Sequence, residues 1–159
     1  MRETDGHIYQ LAGLNECYHC QYARKMWVNT KYLDEMGVDV PQTTQEFYDV
    51  CKKFVETYPD KIAIGGASSG WYVDFVAWLM GSFTLDSGEY GKLALTPDGE
   101  MVSAATTEEW REGLRYIKSL YDIGAIYDGN FTQDSEQLRT IMNQEDVRSI
   151  WNHLRWYRF

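Results

Sequence analysis

The first residues whose types and spacing could do chemistry are Cys17-Tyr18-His19-Cys20. Two thiols three positions apart can close a small redox disulfide, and a helix beginning at such a motif lowers the pKa of the first cysteine. Here the sequel, Gln21-Tyr22-Ala23-Arg24-Lys25-Met26-Trp27, reads as entry into a strand, which argues against thioredoxin-like chemistry. Structural zinc needs four ligands, and only Cys17, His19 and Cys20 cluster, so no metal site and no cofactor are expected. A local disulfide between Cys17 and Cys20 fits better, as do two reduced cysteines packed in a crossover. Cys51 makes the count odd, leaving at least one thiol free or paired with another chain.

Carboxylate pairs are numerous, among them Glu108-Glu109 and Glu145-Asp146. The first opens a helix, where the macrodipole favours negative charge without any catalytic role. Glycoside hydrolysis needs two acids facing each other across a cleft, and nothing nominates such a pair. Phosphate loops and His-Glu-x-x-His helices are missing, so the chain is not expected to be an enzyme.

The best binding candidate is Ser68-Ser69-Gly70-Trp71-Tyr72-Val73-Asp74. Small residues let a ligand approach the backbone, Trp71 and Tyr72 offer stacking surface, and Asp74 can accept sugar hydroxyls. The alternative is that Trp71 packs into the core and Asp74 caps a helix. Tyr18 and His19 are secondary candidates, each equally at home as a packed or solvent-facing loop residue.

The elements that must position these residues follow from pattern. Asn29 or Thr30 caps a short helix through Met36, stopped by Gly37. Thr43-Thr44-Gln45-Glu46 has capping-box spacing, and Phe47, Val50, Cys51, Phe54, Val55 and Tyr58 then recur at helical intervals before Pro59. Extended segments are predicted at His7 to Leu11, Lys25 to Asn29 and Lys61 to Ile64. A largely buried helix from Trp71 to about Phe83 follows. Residues 92–95 and 101–103 flank a hairpin turn at Thr96-Pro97-Asp98-Gly99-Glu100. Thr106-Thr107-Glu108-Glu109 repeats the box, with Trp110, Leu114, Ile117 and Tyr121 along one face until Gly124. A last helix runs from about Gln133 to Asn143. The pattern is α/β and helix-rich, with a small sheet or hairpin.

Composition narrows the partners. The 159 residues fit one domain, 44% of them are hydrophobic, and the net charge is −9, which repels phosphate backbones and excludes nucleic acid as an expected partner. Aromatics reach 15%, with six Trp and twelve Tyr, which suits either a core of flat side chains or a sugar-binding surface. No apolar run approaches the roughly 20 residues that span a bilayer. Residues 147–159 stand apart: Arg148, Arg155 and Arg158 give this segment +3 and leave −12 on the first 146, and Trp151, Trp156, Tyr157 and Phe159 follow no clean period. That segment reads as an atypical basic aromatic tail: a docking arm, ordinary helix packing, or sequence with no selected structure.

The order of motifs resembles a known family. Asp5-Gly6-His7-Ile8-Tyr9, Leu11-Ala12-Gly13 and Met26-Trp27-Val28-Asn29-Thr30-Lys31-Tyr32-Leu33-Asp34 are similar to the opening phrases of family 1 extracellular solute-binding proteins. Met36 to Phe47 resembles the family's "xGlxxPxTxxEF", and Trp110 to Tyr121 followed by Gly124 resembles its "eglkyxkkLyxxGlI" helix. The resemblance covers residues 5 to 146. It implies a partial type II periplasmic-binding-protein-like fold, mainly the second lobe, with a hinge crossover near residues 13–28. It further implies the substrate-binding lipoprotein of an ABC importer at the extracellular face of the membrane, with an oligosaccharide ligand and permease subunits as partners. Trp71 then falls near the sugar-facing loop and Cys17 to Cys20 near the crossover. Because family members run well beyond one domain, the chain is expected to be one jaw of a two-lobed clamp. It should bind sugar weakly alone and be able to self-associate through a severed apolar face. Outside the resemblance stand two other classes: a redox or metal-binding protein using Cys17 and Cys20, and a non-catalytic interaction module.

Overall fold

The structure is a computed structural model that describes residues 4–9, 25–69, 74–84, 93–96, 98–144 and 149–152. The Asn29 side chain accepts the Lys31 N–H and starts α1 (Thr30–Met36), which ends at Gly37 with φ 64°. This left-handed conformation suits glycine and turns the freed backbone N–H onto the last carbonyls of the helix. Helix α2 (Thr44–Thr57) opens at Thr43, whose hydroxyl accepts the Glu46 N–H. The return half of the predicted box is displaced, because the Glu46 carboxylate accepts from the Gln42 N–H at 2.7 Å rather than from Thr43. Phe47, Val50, Cys51 and Phe54 are buried along the predicted stripe.

A strand predicted at 61–64 is observed as β2 (Ile64–Gly65), since only these two residues pair with a neighbour. The helix predicted from Trp71 is α3 (Phe75–Met80). Asp74 fixes that start, because its carboxylate takes the Val76 and Ala77 N–H groups that the first turn cannot satisfy. The hairpin forms as predicted, with β3 (Leu93–Leu95) antiparallel to β4 (Met101–Ser103). Helix α4 (Glu108–Asp122) begins one residue later than its capping box suggested. Thr106 is consumed by the 3-10 turn Ala104–Thr106, and Thr107 becomes the cap.

Its buried face also differs from the predicted one. Leu114 and Tyr121 are about half exposed, at 47% and 46%, while Gly113, Ile117 and Leu120 face the core. The face is centred on Gly113, where an added Cβ would lie 2.3 Å from the Met80 sulfur of α3. A contact made by the lack of a side chain leaves no mark in a hydrophobic pattern. Helix α5 (Ser135–Met142) starts at Asp134 with a complete capping box closed by Gln137. It packs Leu138 and Met142 on Ile62 and Ala67 in a small second core.

The sheet is assembled from distant parts of the chain. Among the described residues β5 (Trp151–Asn152) is its middle strand, antiparallel to β1 (Trp27–Val28) and parallel to β2. Ser149, Ile150 and Trp151 are buried, and the Trp151 ring lies 4.8 Å from Phe47. Residues 149–151 therefore belong to the core, although charge and irregular aromatics set their segment apart as a tail. A strand of two residues, paired on both edges, is too short to show a period. No strand is found among residues 4–9, and Gln10 and Leu11 lie outside the described residues, as does most of the crossover predicted at 13–28.

Candidate functional site

In sheets with parallel strands, ligands bind where the chain leaves the carboxyl ends of those strands. The segment leaving β2 is Gly66-Ala67-Ser68-Ser69, the beginning of the predicted binding loop. Gly66 and Ala67 are buried, and Ser68 and Ser69 are exposed. Alongside runs residue 126 onward, joined to β2 by a parallel bridge at Ile64 and Ile126 and to the loop by another at Ser69 and Asp134.

Two buried amides tie these segments together. Asn130 donates through Nδ2 to the Ile64 carbonyl at 2.8 Å and accepts the Gly66 N–H on Oδ1 at 3.0 Å. Gln133 donates through Nε2 to the Gly66 carbonyl at 2.6 Å. Its own carbonyl accepts both the N–H and the hydroxyl of Ser68, each at 3.0 Å. Asn130 is 1% exposed and Gln133 6%. Burying an amide is unfavourable unless it is hydrogen-bonded, so a satisfied pair resists displacement of the loop it holds.

Of the predicted ligand contacts, the structure places Asp74. It caps α3 through Oδ1 at 2.9 Å from the Val76 nitrogen and 3.3 Å from that of Ala77. Its Oδ2 makes no hydrogen bond among the described residues, and the residue is exposed. Trp71, Tyr72, Tyr18, His19, Cys17 and Cys20 lie outside the described residues. Asn130 and Gln133 were not predicted, because an amide's partner in a loop more than sixty residues away leaves no local signal. The Asp134-x-x-Gln137 spacing does mark the helix start directly after them.

Around this segment lie further aromatics. Phe131, half exposed, meets Phe75 edge-on at 5.6 Å and Tyr121 at 6.1 Å. A hydrogen bond to Asp128 raises the Tyr121 phenol above its ordinary pKa. Two shallow depressions, of about 670 and 690 Å³, share Tyr127 in their walls, and neither is lined by residues 66–69 or Asp74. No group of three metal-ligating side chains occurs among the described residues, nor any helix long and apolar enough to cross a membrane. Burial pushes the Cys51 thiol up, which leaves it a neutral core group rather than a thiolate nucleophile.

Comparison with known proteins decides the family, since residues 3–156 match the bacterial extracellular solute-binding proteins. The chain belongs to that family. The match runs ten residues beyond the boundary at 146 expected from the sequence motifs, in keeping with the buried β5. Among curated relatives, the fructooligosaccharide ABC transporter substrate-binding protein FusA of Streptococcus pneumoniae is 25% identical, covering 84% of this chain and 27% of that protein. Lipoprotein LipO of Bacillus subtilis is 30% identical over 69% of this chain and 22% of its own length. The chain thus spans about a quarter of the length of these relatives. Among solved structures, FusA in complex with kestose superposes with a TM-score of 0.74 at 23% identity, covering 97% of this chain and 33% of FusA. An HMO-binding solute-binding protein from Bifidobacterium longum infantis gives 0.67 at 18% identity, with 82% and 29% covered. The fold of this solute-binding protein is therefore the periplasmic-binding-protein-like fold in part, helix-rich as predicted. The family is one of binding rather than catalysis. These matches bear on the binding-protein reading and add nothing to a redox, metal or general interaction role.

Proposed function

We propose that this solute-binding protein supplies part of the sugar-gripping structure of the extracytoplasmic receptor of an ABC importer for oligosaccharides. The observation that carries the reading is the family match across residues 3–156. The solved relatives that share the fold support it, one in complex with kestose and one an HMO-binding protein. In this reading the chain is mainly the second lobe of a two-lobed clamp. Its partners are an oligosaccharide and permease subunits, and the whole protein is held at the outer face of the membrane as a lipoprotein.

Trp71, Tyr72 and Asp74 are the residues we assign to the sugar, with Tyr18 and His19 as secondary contacts. The support is chemical. The loop springs from the carboxyl end of β2, its exposed serines leave the backbone approachable, and one Asp74 carboxylate oxygen makes no hydrogen bond among the described residues. One aromatic stack and one charge-assisted hydrogen bond together contribute about 2–4 kcal/mol. That is a weak grip, consistent with a site completed by further contacts.

Titration of the ¹⁵N-labelled chain with kestose tests the reading. The expected outcome is saturable shifts confined to residues 66–74 and 127–134, lost in Trp71→Ala, with weak affinity. Kestose and maltotriose both leaving the spectrum unchanged overturns it.

A further inference from the structure

The two segments that leave the sheet together do not have the same length. Between the parallel bridges Ile64 to Ile126 and Ser69 to Asp134, one chain takes five steps and the other eight. A regular parallel ladder cannot absorb three surplus residues. They are taken up in the 3-10 turn Asp128–Phe131, which lifts that backbone away from its neighbour. The rungs that the ladder loses there are remade by side chains. Asn130 supplies both a donor, to the Ile64 carbonyl, and an acceptor, for the Gly66 N–H, while Gln133 donates to the Gly66 carbonyl. All of these groups are buried, so a shift of one residue along the strand would strand donors against donors. An apolar filling would tolerate such a slip.

We propose that Asn130 and Gln133 are positioning residues of the sugar site. They hold Gly66 to Ser69 in one register, and thereby set where the loop that continues to Trp71, Tyr72 and Asp74 departs from the sheet. The inference rests on the functional reading above and deepens it. Affinity depends on a pair of amides that touch no sugar.

The test uses the full chain, with kestose as probe, and reads backbone hydrogen exchange and sugar affinity on the same samples. Asn130→Asp keeps the acceptor for Gly66 and loses the donor to Ile64, whereas Asn130→Leu loses both. Gln133→Glu removes the donor to the Gly66 carbonyl. Exchange at the Gly66 N–H is expected to stay slow in Asn130→Asp and to quicken about tenfold in Asn130→Leu, the effect of one lost buried hydrogen bond. Kestose affinity should fall about threefold in Asn130→Asp and Gln133→Glu and about tenfold in Asn130→Leu. Amides of α4 keep wild-type exchange, which marks an intact fold that a general loss of stability would not leave. The two near-isosteric variants decide the matter if Asn130→Leu fails to fold. Folded variants with wild-type affinity overturn the inference and leave the sugar reading standing. Where the wild-type chain binds no kestose, maltotriose replaces it as probe, and a wild-type chain that binds neither overturns the sugar reading, and this inference with it.

Discussion

Asp74 caps α3 with one carboxylate oxygen, and the proposed sugar contact uses the other. Oδ1 receives the first free N–H groups of α3, and Oδ2 makes no hydrogen bond among the described residues. Substitution separates them. Asp74→Ala is expected to lower stability by about 1 kcal/mol through loss of the cap, read by denaturant unfolding. Asp74→Asn retains a capping oxygen and should unfold within a few tenths of a kcal/mol of wild type, because Asn and Asp are equivalent caps. It replaces a charged acceptor by a neutral one, so sugar affinity should drop about fivefold on titration, as charge-assisted hydrogen bonds are the stronger kind. Unchanged affinity in Asp74→Asn would reduce the residue to a cap. The cap was legible in the sequence only as the alternative to a sugar contact, because the helix was expected to start at Trp71, three residues before Asp74. Asn130 and Gln133 were not legible, because what makes them matter is the carbonyls of Ile64 and Gly66, brought to them only by the fold.

Between elements, the contact of α3 with α4 turns on Gly113. Alanine normally strengthens a helix by about 1 kcal/mol over glycine. At this position its methyl group would meet the buried Met80 side chain, and overpacking costs about 1–3 kcal/mol. The second effect wins, so Gly113→Ala should lower the thermal midpoint, and the same substitution made in a Met80→Ala background should cost less than it does in the wild type. A higher midpoint for the single variant would show that Met80 yields easily. Helix existence was readable from caps and stops such as Asn29, Thr43 and Gly37, which act within a few residues. Helix orientation was less so. The pattern placed Leu114 and Tyr121 inward, whereas the core accepts Ile117 and Leu120 on either side of a groove that begins at glycine.

At the scale of the whole molecule, the sheet exists only because β5 arrives between β1 and β2. Trp151 is 4% exposed and packs on Phe47, so Trp151→Ala should cost about 3–5 kcal/mol, a large part of the roughly 5–15 kcal/mol that holds a domain together. A chain stopped at residue 146 should lose cooperative melting by circular dichroism altogether. Retention of a sharp transition would mean that the helices hold without their sheet. The family was readable from the phrases around Asp5, Trp27 and Gly37. The role of Trp151 was not, because charge and period are properties of neighbours in sequence and this residue's neighbours are in space. The order of synthesis has a cost here. β2 is made 87 residues before its partner, which at translation rates of about 5–20 residues per second is a wait on the order of ten seconds. During that interval the nascent chain presents two unmatched strand edges, and a holding chaperone or dilution must keep one ribosome's product from pairing with the next.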